Sequence, residues 1–216
     1  MRKPSSSWST RAVLVALGTA VGHSSAWADG AASPLCADAQ QSKVIQERFK
    51  TPGRNLVDTL RQELGLSESA ILSGLPEKRA VGVAGSQFYA VWALLQTWPD
   101  AVVAIRSGGH VLEVHGPIHA GEPSKVSKYF NLAPEGPGLS GHLRPDLVSA
   151  IYAVNLPGRS GDDHGVIFYD SAGEAAFGVY VPSEYVQPDA AGMQRFVDTR
   201  SRMQSMPAAC PGQRLD

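Results

Sequence analysis

The chain has 216 residues, 43% of them hydrophobic and 18% charged, with a formal net charge of −1. That balance excludes a disordered, low-hydrophobicity chain, and it offers no cationic excess for a nucleic acid or other polyanion. Two cysteines, Cys36 and Cys210, stand far from any C-x-x-C spacing, which excludes a cysteine-rich metal ribbon.

Residues 1–28 read as an export signal. Arg2, Lys3 and Arg11 form a positive start, "AVLVALGTAV" (12–21) an apolar core, and Ala26-Trp27-Ala28 a small-x-small cleavage pattern that predicts a mature start at Asp29. The apolar run is about half the roughly 20 residues that a membrane span needs, and no later segment is apolar enough to span a bilayer, so no membrane insertion is expected. Residues 29–54 read as an N-terminal linker or extension, with a short low-complexity stretch at 30–34. Residues 55–216 read as one globular domain. Export places the cysteines in an oxidising compartment, where an even count argues for a Cys36–Cys210 disulfide. The alternatives are two free thiols or a lipidated Cys36. The preceding Ser33-Pro34-Leu35 is a poor context for lipid attachment.

Helices come first along the chain. "NLVDTLRQELGL" sets Leu56, Leu60 and Leu64 on one helical face. Ser67 caps a short helix, "ESAILSG", that Gly74 and Pro76 terminate. Ser86 precedes "FYAVWALLQTW", where Phe88, Trp92 and Leu95 line one face and Pro99 stops the helix. The period then changes to two, predicting strands over 101–105, 110–115, 149–154, 165–170 and 175–181, with a hairpin turn at "DSAG" (170–173). A last helix covers 190–203, with Met193, Phe196, Val197 and Met203 on or near one face. N-terminal helices, an antiparallel sheet and a C-terminal helix describe an α+β fold. The two short helices imitate a DNA-reading pair, but the second carries no basic residue and the chain no basic excess.

Few residues announce chemistry. His110 and His115 lie on one predicted strand but on opposite faces, so they cannot share a metal, and Glu113 with His115 reads as a solvated pair. Neither a nucleophile elbow nor a phosphate-binding glycine loop follows any strand. A binding protein is therefore the leading class. In "YFNLAPEGPGLSGHLRPD" (129–146) an aromatic pair gives way to a Gly/Pro-rich turn that releases His142, with Arg144 close behind. Read alone, His142 is either a metal ligand or a turn histidine bonded to a nearby carbonyl.

The segments "ILSGLP", "FYAVWALLQTW", "HVLEVHG", "YFNL…GLSGHLRPD…IYAV" and "VIFYDSAGEAAFGVYV" follow one another in an order and spacing that resemble the ChuX/HutX family of bacterial haem-utilisation carriers. The resemblance covers about residues 56–200. It implies an α+β haem-carrier-like fold, haem as the carried ligand and a homodimer. It also implies that His142 is the iron ligand, since it matches a family histidine implicated in ligation. A neutral imidazole can hold haem iron, Gly141 would let a porphyrin approach the backbone, and the Arg144 guanidinium matches a propionate.

Arg106 stands where the family has a second histidine, and arginine, always protonated, is a poor iron ligand. His110 lies four residues on, about 13 Å along a strand. The candidate cofactor-binding set is thus His142, Arg144, Arg106, His110 and Tyr129, although Tyr129 and Phe130 read more readily as core. "LPGRSG" (156–161) and "PSE" (182–184) replace two further family motifs, and the family is generally made without an export signal. The expectation is a periplasmic haem-binding protein in haem trafficking or haem-iron utilisation, not an enzyme, working with haem uptake or import proteins. The alternative is an exported accessory protein that shares the fold but binds another small ligand or a partner. Haem degradation, known among relatives of this fold, is the minor third option.

Overall fold

A computed structural model describes residues 35–51, 53, 55–107, 109–132, 138–158, 161–182 and 190–211. The export signal, the 30–34 stretch and parts of the 156–161 and 182–184 segments lie outside the described residues.

Among the described residues three short helices lead: α1 (Ala39–Arg48), α2 (Leu56–Leu64) and α3 (Glu68–Ser73). The first lies in the stretch read as an N-terminal linker or extension, where no helix was expected. Its start is a capping box, in which Asp38 accepts from the Gln41 amide and the Gln41 side chain accepts from the Asp38 amide. It buries Ser42 and Ile45. Ser67 caps α3 by accepting from the Ala70 amide, as its position predicts.

Strand β1 (Ala80–Ala84) follows, then α4 (Phe88–Leu95), β2 (Ala101–Ser107) and β3 (His110–Gly116). Three very short strands come next, β4 (Gly121–Pro123), β5 (Phe130–Leu132) and β6 (Gly141–Leu143). Strands β7 (Ala150–Pro157), β8 (Asp162–Tyr169) and β9 (Ala175–Tyr180) precede the closing helix α5 (Ala190–Met203). The α+β class, with antiparallel sheet and terminal helix, is as the periodicities predict.

The strands form two sheets. Six run β1-β7-β8-β9-β2-β3, antiparallel throughout, and three run β4-β5-β6. The larger sheet is covered on both faces. One face carries Val103, Ile151, Val166, Phe168 and Val179 against α4, α5 and the inner face of the small sheet. An aromatic knot joins them, with Phe130 5.5 Å from Phe88 and Phe168 stacked on Phe177 at 4.4 Å. The other face, with Tyr152, Val154, Ile167 and Tyr169, lies under α1–α3. Gly85 is required where the chain turns into α4, because a Cβ there would fall 1.9 Å from the Val148 carbonyl oxygen.

The two edges of the large sheet differ. Beside β1 runs the C-terminal segment, where the Ala209 amide donates to the Gly82 carbonyl and the Ala84 amide to that of Pro207. This brings Cys210 to Cys36, and the two form the expected disulfide. At the other edge β3 is exposed along most of its length, Val111 at 55% and Leu112 at 62%.

Candidate functional site

The small sheet has an inner and an outer face, fixed by strand alternation. Phe130, Leu132 and Leu143 point inward to the core. Register places His142 directly opposite Asn131, and Asn131 opposite Glu122, in one row across the outer face. His142 therefore sits in a strand and not in a turn. Gly141 before it has φ +138°, a conformation that favours glycine, and the space where a side chain would project is open.

The imidazole is oriented by its neighbour. His142 Nδ1 lies 2.9 Å from Asn131 Oδ1. A carbonyl oxygen only accepts, so Nδ1 donates to it, and in the neutral imidazole Nε2 then holds the lone pair, which makes Nε2 a candidate metal-ligating atom. Tyr129 stands beside it, ring centroids 5.6 Å apart. Tyr129 is 43% exposed while Phe130 is buried, so the reading of both as core holds for Phe130 alone. Arg144 lies over the Tyr129 ring, 5.6 Å from its centroid.

Arg144 also makes a two-pronged contact with Asp146, Nε to Oδ1 at 2.7 Å and an Nη to Oδ2 at 2.8 Å. Lys128 Nζ stands 3.5 Å from the same Oδ2. Hydrogen bonding from Arg144 is the main reason that the Asp146 carboxyl is held down to about 2, so it stays ionised. Of the exposed large apolar side chains among the described residues, Tyr89, Val126, Tyr129 and Leu147 lie on or next to this small sheet in sequence or contact. The outer face thus presents an imidazole, a guanidinium, an ammonium and the Tyr129 ring together.

The structure does not bring Arg106 or His110 into this group. Arg106 leaves β2 on the helix-covered face, where its Nη1 donates to Glu68 Oε2 at 3.0 Å and the Tyr169 hydroxyl donates to Oε1 at 2.9 Å. Glu68 is only 5% exposed. A cavity of about 150 Å³ opens beside them, lined by Leu56, Asp58, Glu68, Arg106, Ile167 and Tyr180 among others. That is well below the roughly 300–1,000 Å³ of pockets that enclose drug-sized ligands. Arg106 is thereby a structural partner of a buried carboxylate. Arg106→Met is expected to cost about 1–2 kcal/mol, discounted from the buried-pair value because the guanidinium is 43% exposed. A urea unfolding curve that matches wild type would overturn this assignment.

His110 is exposed on β3 opposite Ser107, and His115 lies opposite Val102, so the two project to opposite faces as predicted. His115 Nε2 is 3.8 Å from Glu113 Oε2, both side chains in solvent. His164 is half-buried on β8, its Nδ1 2.8 Å from Asn155 Oδ1 and its ring 5.3 Å from Phe196 of α5. Burial pulls its pKa down.

Asn131, Lys128 and Asp146 were not singled out in the sequence. Asp146 had a signal, because "RPD" places opposite charges two residues apart around a proline. Asn131 had none, since its partnership depends on strand register.

A model of the family described as haem utilisation ChuX/HutX matches residues 81–197. The chain belongs to the ChuX/HutX family. The curated "Intracellular heme transport protein HutX" of Vibrio cholerae is 27% identical over 122 residues, which span 56% of this chain and 62% of that protein. The match therefore covers less than two thirds of that relative. Among solved structures, ChuX superposes with a TM-score of 0.65 at 17% identity, over 76% of this chain and 98% of ChuX. A protein from Erwinia carotovora gives 0.66 at 22% identity with the same coverages. ChuS, described as an E. coli haem oxygenase, gives 0.59 at 17% identity over 76% of this chain and half of ChuS. At these identities the structures establish the fold.

Proposed function

We propose that this ChuX/HutX member is an exported haem-binding protein that carries haem without transforming it. One observation carries the reading: His142, in a family of haem utilisation, presents an Nε2 lone pair on an open face with its proton held at Nδ1 by Asn131. The residues fit the group. The exposed Tyr129 ring suits a porphyrin plane, and Arg144, which lies over that ring, suits a propionate. Haem would be the cargo, and the chain's own part is to ligate through His142 and to hold the carboxylates.

Titrating the protein with haemin while recording the absorption spectrum tests the reading. Saturable, stoichiometric change in the Soret band is expected. Its absence would favour the second reading, an accessory protein that has left haem for another ligand or a partner. The observation favouring that alternative is Arg106, which replaces the family's second histidine and is committed to Glu68.

Periplasmic residence is supported by the charged start, apolar core and small-x-small pattern of residues 1–28, and by a disulfide that suits an oxidising compartment. There the carrier would stand between uptake and import proteins. Exposed apolar side chains on the edge strand β3 support cover by a second copy in a homodimer. Light scattering at monomer mass over a wide concentration range would remove the dimer.

A further inference from the structure

The guanidinium offered to a ligand carboxylate is already occupied. Asp146 grips Arg144 through both carboxylate oxygens, at 2.7 and 2.8 Å, in the two-pronged geometry that an incoming carboxylate would use. The same Asp146 Oδ2 lies 3.5 Å from Lys128 Nζ. All three side chains reach solvent, Lys128 at 76%, Asp146 at 35% and Arg144 at 34%. Arg144 and His142 both lie against Tyr129, so anchor and ligating nitrogen share one platform.

We propose that Asp146 is a specificity-determining residue of this site, an internal competitor that a ligand's carboxylate displaces from Arg144 onto Lys128. The inference rests on the haem reading and deepens it. Before exchange, Asp146 bridges both cations. After exchange, Asp146 pairs with Lys128 and Arg144 pairs with one ligand carboxylate, so each of the three side chains keeps an opposite charge. Exposed ion pairs are individually weak, which lets the exchange run in either direction, as a carrier that must release its cargo requires. A porphyrin without free carboxylates cannot drive the exchange and gains nothing from Arg144. Because Asp146 remains ionised down to about pH 2, the competition operates across the physiological range.

The test titrates the full protein and its variants with haemin and, separately, with haemin dimethyl ester. Asp146→Asn is expected to tighten haemin binding about two- to fivefold, the range an exposed ion pair commands, and to leave ester binding unchanged. Asp146→Ser should behave likewise, and far-UV circular dichroism checks that each variant is folded. Lys128→Gln should weaken haemin binding in the wild-type background but not beside Asp146→Asn, because the displaced carboxylate then no longer exists. Saturable haemin binding by wild type with no change in Asp146→Asn, or equal tightening for the ester, overturns the competitor role and leaves the haem reading standing. Failure of wild type and Asp146→Asn alike to bind either porphyrin overturns both.

Discussion

Replacing Cys36 and Cys210 together by serine is expected to lower the stability of the folded chain by about 2–5 kcal/mol, the range for losing a native bridge. The bridge closes a loop with a sequence separation of 174, for which the loop-entropy account gives a value near 5 kcal/mol. The folded state keeps other ties at both ends of the bridge. The Ala37 amide donates to Ser73 Oγ at 2.7 Å, and Gln46 Nε2 donates to the Gly74 carbonyl at 3.1 Å. The C-terminal segment stays bonded to β1. The variant should therefore fold, and most of the loss should come from greater freedom of the unfolded chain. Urea unfolding of non-reduced wild type against the double variant measures it. At about 2–4 °C per kcal/mol for a chain of this size, the melting temperature should fall by about 4–20 °C. A double variant within 0.5 kcal/mol of wild type, or native protein whose two thiols alkylate without reductant, would remove the bridge and weaken the case for export.

His142→Ala should weaken haemin binding at least about tenfold, since changes even to groups that only support a metal ligand commonly cost 10–100-fold. The Soret band should shift as well. Its Nε2 is the candidate ligating atom of the outer face, and Asn131 holds the tautomer that exposes it. With Arg106 engaged by Glu68 across the sheet, the expected iron is five-coordinate or completed by water, not bis-histidine. His164→Ala is the control: that ring packs against Phe196 under α5 and should leave the spectrum unchanged. Unchanged affinity and spectrum in His142→Ala would mean that another side chain holds the iron.

Elements with strong local patterns were legible in the sequence. Helix α5 begins and ends where its apolar spacing predicts, and Leu56 and Leu60 are buried on the face assigned to them. Helix α1 escaped notice because "AQQSKVIQER" has only Val44 and Ile45 as large apolar residues, and its best signal was the Asp38/Gln41 box. Strand β1 is short and carries Gly82, against which the Tyr152 ring lies so closely that a Cβ would meet it at 2.3 Å. Strands β4, β5 and β6 have three residues each, too few to show a period of two.

The candidate site divides in the same way. His142 and Arg144 stood out as residue types after a glycine-rich stretch, and the resemblance of the surrounding motifs gave them a role to test. Placing Asn131 against His142 required the β5–β6 register, and placing Arg106 against Glu68 required α3 to lie across β2. Both join residues distant in sequence.

By itself the sequence determined the local matters: the helices with a regular apolar face, most long strands, the α+β class, the family likeness and the parity that pairs Cys36 with Cys210. Only the tertiary structure decided that β7 lies between β1 and β8, that β3 is an open edge, and that Tyr129 faces solvent while Phe130 is buried. It also decided which side of the large sheet each candidate residue serves. The physical reason is the range of the interactions. Helical period, caps and turns are set by residues within about four positions of one another, whereas strand order and register are chosen by which apolar faces bury each other across the whole chain.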